Sequence, residues 1–141
     1  MSRVVVDASV VVKWFTQEEQ RGEALSLRQS HMDGGLTLTA PALLAYEVAN
    51  ALRYNPSLTT EDQERAAMAL FLMGIVLEPP TQGGMVKAVE LADRYDITIY
   101  DAAYLSLAVQ RDITLVTVDV RLAEKAAEMG SITELASFAD G

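Results

Sequence analysis

The sequence contains no cysteine, one histidine, little positive charge and no long apolar run. Without cysteine there are no disulfides and no thiolate chemistry, which fits a reducing cytosol. The longest apolar run, residues 66–77, falls well short of the roughly 20 residues a membrane span needs. The start, Met1-Ser2-Arg3-Val4, meets Asp7 before a signal-peptide core can form. A soluble, cytoplasmic protein is expected. Eleven Lys and Arg stand against twenty Asp and Glu, a formal net charge of -9. That argues against a general basic nucleic-acid binder, because nonspecific affinity for phosphate comes mainly from Lys and Arg. If the substrate is a nucleic acid, something must offset the acid, and a bound divalent cation does so locally. The lone His31 lies in a polar segment near Gly34-Gly35 and reads as ordinary surface, so no histidine general base is expected. Linkers, internal repeats and low-complexity tracts are also missing. At 141 residues, half of them hydrophobic, the chain is expected to be a single domain, 1–141, with a proper core.

What is present is an alternation of short apolar runs and helical patterns. Arg3-Val4-Val5-Val6 reads as a strand buried on both faces, stopping at Asp7. Ser9 is the expected cap of a helix over 10–15, and a polar helix over 18–32 follows, ended by Gly34-Gly35. A second strand is predicted at 36–39. Pro41 suits the first turn of a helix over 42–54, which Asn55-Pro56 stops. Thr60 with Glu64, or Thr59 with Asp62, starts a helix over 61–73, and 75–77 is a third strand. A helix over 82–95 leads into ITIYDAAYLSLAVQRDITLVTVD, residues 97–119, where a helical pattern opens at Asp101 and a β-branched strand spans 114–118. A helix over 121–129 and an edge strand over 131–133 complete the reading. Strands alternating with helices predict an α/β domain with a mostly parallel sheet.

Four acids stand out. A helix of about eleven residues at about 1.5 Å each and a strand of about five at roughly 3.3 Å each cover the same distance, so Asp101 and Asp119 return to one edge. Asp7 and Asp119 each follow a β-branched run, at the strand ends where open parallel sheets bind ligands. Each of these aspartates taken alone is equally well read as a helix N-cap. Glu47 lies on the stripe Leu43, Leu44, Glu47, Val48, Ala51, the face that should be buried. A buried carboxylate costs several kcal/mol at least and needs a partner: a cation, or an arginine in a salt bridge. Helix side chains lean toward the N-terminus, so Glu47 points back toward Pro41 and the same edge, with Asn50 one turn on to orient it. Two like charges about 4 Å apart repel by roughly 4 kcal/mol at an effective dielectric near 20, so such a cluster needs a cation or a shared proton. Oxygen donors alone favour magnesium or manganese over zinc. Lys13, Arg53 and Arg121 are the cations nearest this edge, each more readily read as a solvated surface charge. Tyr100 and Tyr104 are candidates for base stacking, although Tyr104, on the apolar stripe, reads better as core, and Trp14 suits core or interface.

With Asp7-Ala-Ser9 after the first strand, Glu47 inside a helix, Tyr100-Asp101-Ala102 opening a later one and Leu115-Val116-Thr117-Val118-Asp119 ending a strand, the sequence resembles the PIN domain over essentially its whole length. Within that family it resembles the VapC-type toxins of VapBC toxin-antitoxin pairs. The resemblance implies a Rossmann-like sheet between helices, an α/β/α sandwich, and metal-dependent cleavage of RNA that leaves 5′-phosphate and 3′-hydroxyl ends. It implies an acidic quartet of Asp7, Glu47, Asp101 and Asp119 holding Mg2+ or Mn2+, supported by the hydroxyls of Ser9 and Thr117. Thr117, two residues before Asp119, is expected on the same strand face. The resemblance also implies a homodimer and a cognate antitoxin over the acidic site. The helices over 41–54 and 61–73 have more apolar surface than one sheet face need cover, in keeping with self-association. Two other readings compete. A magnesium-dependent phosphate-accepting signalling domain wants adjacent acids after the first strand and a lysine after a late one, whereas Ala8-Ser9 follows Asp7 here. A catalytically silent PIN-like binding module would keep the fold without the chemistry.

Overall fold

Val4, Val5 and Val6 are all buried, although successive strand residues point to opposite faces, so this strand is covered on both sides. The computed structural model describes residues 2–140 and makes this strand, β1 (Ser2–Val6), the middle of five. In chain order follow α1 (Ala8–Val11), which tightens into a 3-10 turn at Val12–Trp14, α2 (Arg21–Met32), β2 (Leu36–Pro41), α3 (Leu43–Arg53), α4 (Thr60–Leu72) and β3 (Val76–Glu78). Next come α5 (Gln82–Tyr95), α6 (Ile99–Arg111), β4 (Thr114–Thr117), α7 (Val120–Lys125) with a 3-10 turn at Ala127–Met129, β5 (Ile132–Glu134) and α8 (Leu135–Asp140).

The sheet is parallel throughout, in the order β3-β2-β1-β4-β5. Strand order reverses beside β1, and the crevice at the carboxyl ends of β1 and β4 is the switch point at which such sheets take ligands. Val6 pairs with Val116, and the Asp7 N–H carries the ladder one step further to the Val116 carbonyl at 3.1 Å. Helix α6 lies against β1, β2 and β4 with α5 packed along it, while α2 and α3 touch β2, α1 and α8 touch β4, and α7 touches β5. Among the described residues no helix is long and apolar enough to cross a membrane.

Several local expectations are corrected, and two left open are decided. Asp7, not Ser9, caps α1, its carboxylate accepting the Ser9 N–H. Pro41 is the last residue of β2, paired with Glu78 of β3, rather than part of the next helix. Of the two candidate caps for α4, Thr59 with Asp62 forms the reciprocal capping box. Trp14 is core: it is 2% exposed and its indole N–H donates to the Ala24 carbonyl at 2.8 Å. Lys13, expected in solvent, is only 8% exposed, in the 3-10 turn that lies against α2 and α3.

His31 is not ordinary surface. Its Nδ1 accepts the Leu38 N–H at 3.0 Å, which fixes the neutral tautomer with hydrogen on Nε2, and Nε2 donates to the Met73 carbonyl at 2.8 Å. One ring thereby ties α2 to β2 and to the residue closing α4.

Candidate metal centre

Asp7 lies where β1 runs out, and burial there is nearly complete, at 7% exposure. Its Oδ1 accepts the Ser9 N–H at 3.3 Å and its Oδ2 accepts the Thr117 hydroxyl at 2.6 Å. Thr117 in turn accepts the Asp119 N–H at 3.0 Å, and Ser9 Oγ, 3.5 Å from Thr117 Oγ1, accepts the Val118 N–H at 3.4 Å. Both hydroxyls expected to support the site therefore stitch the ends of β1 and β4 together. Strand alternation does not relate Thr117 to Asp119, because β4 ends at Thr117. Asp119 is the exposed N-cap of α7, accepting the Leu122 N–H at 3.0 Å.

Glu47 enters from α3 and is half-buried. Its partner is neither an arginine nor Asn50, which is exposed and makes no bond to it, but Tyr104, whose hydroxyl donates to Glu47 Oε1 at 2.6 Å. Asp101 belongs to the first turn of α6, whose cap is Thr98: the Thr98 hydroxyl accepts the Asp101 N–H at 3.0 Å. The N-cap reading thus holds for Asp7 and Asp119 and fails for Asp101, whose carboxylate is steadied by Thr98 instead.

The acids sense one another. Burial above all, then repulsion from Asp101, pushes the Asp7 carboxyl above its ordinary value against the pull of Thr117 and Ser9. Glu47 is raised by burial, then by Asp7 and Asp101, against the hydrogen bond from Tyr104. Asp101 is raised by burial and by Asp119, with Arg121 the cation that opposes them. The Tyr104 phenol is raised by burial and by Glu47, Asp7 and Asp101 together, so its proton stays in place as a donor. All four acids therefore belong to one electrostatic neighbourhood at the switch point.

This donor set suits a hard divalent cation, being all oxygen and short of positive charge. Among the described residues no three His, Asp or Glu side chains form a group that would hold a metal ion as they stand. Magnesium requires no such cage, since it keeps several waters and takes one or two carboxylates directly. An open groove of about 600 Å³ is lined by Tyr46, Tyr100, Ile99, Met85 and Gln110 and by the paired Arg111 and Glu78, and none of the four acids lines it.

The profile of the PIN domain matches residues 4–128. This chain belongs to the PIN domain family. Ribonuclease VapC3 of Pyrobaculum aerophilum is 32% identical to this PIN domain over 127 residues, covering 87% of this chain and 94% of that protein. Among solved structures, PAE2754 of the same organism matches with a TM-score of 0.70 at 22% identity, over 99% of this PIN domain and 93% of that chain. A toxin-antitoxin complex from Klebsiella pneumoniae matches with a TM-score of 0.69 at 16% identity, over 94% and 97%. At such identities the structural likeness speaks for the fold. PIN ribonucleases as a family depend on divalent metal, and membership displaces the signalling-domain reading. The residue that sequence reasoning missed in this PIN domain is Tyr104; its position three residues after Asp101, on the same helix face, was the available signal.

Proposed function

We propose that this PIN domain is a metal-dependent endoribonuclease that serves as the toxin of a type II toxin-antitoxin pair. The observation that carries the reading is the neighbourhood of Asp7, Glu47, Asp101 and Asp119 at the switch point, where burial and mutual repulsion oppose ionisation and Arg121 is felt at Asp101. The similarity to Ribonuclease VapC3 supports RNA as substrate, and the fold shared with the Klebsiella toxin-antitoxin complex supports an antitoxin partner.

In this reading Asp7, Glu47 and Asp101 are the principal ligands of Mg2+ or Mn2+, directly or through water, and Asp119 completes the set from the rim. The cation, when bound, supplies Lewis-acid polarisation of the phosphate and a coordinated water of lowered pKa. The protein does the rest. Thr117 and Ser9 hold the Asp7 carboxylate by its two oxygens. Arg121, exposed beside Asp101, binds an RNA phosphate, and exposed Tyr100 offers a stacking face to an unpaired base. The outward apolar residues Met68, Phe71 and Leu72 of α4, with Tyr46 and Tyr54 near α3, form the face through which two copies associate. The antitoxin covers the acidic edge, and the protein works in the cytoplasm.

The test is metal binding by calorimetry followed by an RNA cleavage assay with and without chelator. Cleavage that requires Mg2+ or Mn2+ and stops with chelator is expected. Metal binding without cleavage overturns the reading in favour of a silent binding module, and absence of metal binding overturns it altogether.

A further inference from the structure

Tyr104 is 1% exposed and among the largest fully buried side chains, its ring part of the apolar face that α6 turns to the core. A phenylalanine would fill that space equally well, so packing accounts for the ring and leaves the hydroxyl unexplained. That hydroxyl donates to Glu47 Oε1 at 2.6 Å, a bond between side chains 57 positions apart that joins α6 to α3. Asp101 lies three residues earlier on α6, hence on the same helical face. One helix therefore presents one acid of the cluster directly and grips a second across the crevice. Glu47 has no other hydrogen-bond or ion-pair partner among the described residues.

The nature of the grip matters. An arginine in this place would orient Glu47 and also cancel its charge, whereas a phenol orients the carboxylate and leaves its charge for a cation. With Oε1 engaged, Oε2 is the oxygen left for ligation. We propose that Tyr104 is a positioning residue of the metal centre: its hydroxyl fixes Glu47 as a ligand, coupling the orientation of α3 to that of α6. This rests on the metal-centre reading above.

Groups that orient a metal ligand from behind are each worth about 10–100-fold in metal affinity or activity. Four proteins test the inference: the natural chain, Tyr104→Phe, Glu47→Gln and the double variant, each titrated with Mn2+ by calorimetry and assayed for RNA cleavage across metal concentrations. Tyr104→Phe is expected to weaken Mn2+ binding about 10–100-fold, with cleavage restored toward the natural rate at saturating metal and KM for RNA unchanged. In the Glu47→Gln background the same change should do nothing further. Natural affinity in Tyr104→Phe overturns the inference, and so does an equal loss when Tyr104→Phe is made on top of Glu47→Gln, which would mark a structural role. If the natural chain itself neither binds Mn2+ nor cleaves RNA, the functional reading falls first and takes the inference with it.

Discussion

Replacing Asp7 by asparagine should inactivate the protein and make the metal-free fold more stable. Asp7 is buried, has no ion-pair partner among the described residues, and is repelled by Asp101. Asparagine has the same shape. Its Oδ1 can keep the Ser9 N–H, and its amide can donate to Thr117 Oγ1, whose own hydrogen is then free to turn to Ser9 Oγ, 3.5 Å away. No polar atom is orphaned. Removing the charge relieves first the cost of burying it and then its repulsion by Asp101, together on the order of 2–3 kcal/mol. Exchanging charged for neutral hydrogen bonds gives back about 1 kcal/mol. The net gain of about 1–2 kcal/mol corresponds to a Tm rise of about 3–7 °C in a domain of this size. The effect has a pH signature. Because burial raises the Asp7 carboxyl above its ordinary 3.8, the folded state binds its proton more tightly than the unfolded state. That contribution to stability is fully present below the unfolded value and is lost as pH climbs through the raised folded value. The gap between Asp7→Asn and the natural protein should therefore be smallest in acid and open toward neutrality. Urea or thermal unfolding in chelator, repeated from mildly acidic to neutral pH, measures it. A less stable variant at neutral pH, or a gap indifferent to pH, refutes the electrostatic argument, and natural-rate RNA cleavage in metal-replete buffer refutes the role of Asp7.

Other consequences are equally open to measurement. His31→Ala removes two hydrogen bonds and leaves the Leu38 N–H, in a fully buried residue, without an acceptor, so urea unfolding should show a loss of about 2–4 kcal/mol; a change within about 0.5 kcal/mol would return His31 to the surface class. Thr117→Val deletes the donor to Asp7 and the acceptor of the Asp119 N–H, and should weaken Mg2+ binding in calorimetry by about 10–100-fold. Unchanged affinity would show that the hydroxyl serves only the fold. Mg2+ at about 100 times its dissociation constant should stabilise the natural protein by about 2.7 kcal/mol in thermal unfolding. The same shift in Glu47→Gln would exclude Glu47 as a ligand.

The sheet was readable because its strands are short and its residues uniform. Val4-Val5-Val6 and Leu115-Val116 suit burial on both faces, and Asp7 marks where β1 stops. The convergence of Asp101 and Asp119 followed from helix and strand rise alone. What escaped reading depended on partners remote in sequence. Tyr104 on an apolar stripe looks the same whether its hydroxyl meets solvent or Glu47. A polar stretch around His31 says nothing of α2 lying across β2 and reaching the end of α4. Pro41 satisfies helix-start chemistry, but pairing with β3 keeps it in the strand, which loses nothing there for want of a proline N–H. Lys13 reads as a solvated charge, and only the fold shows that it is buried.

The bond from Thr117 to Asp7 closes a loop of 110 positions, and β4, the strand that flanks β1 at the crevice, comes after β2, β3 and α6 in the chain. During translation, a ribosome that has delivered the polypeptide only as far as α6 has released β1 with one neighbour and Asp7 without its hydroxyl donor. Pairing across so long an interval is also intrinsically slow. A product that stops short of β4 consequently lacks the strand and the hydroxyl that hold Asp7 in place.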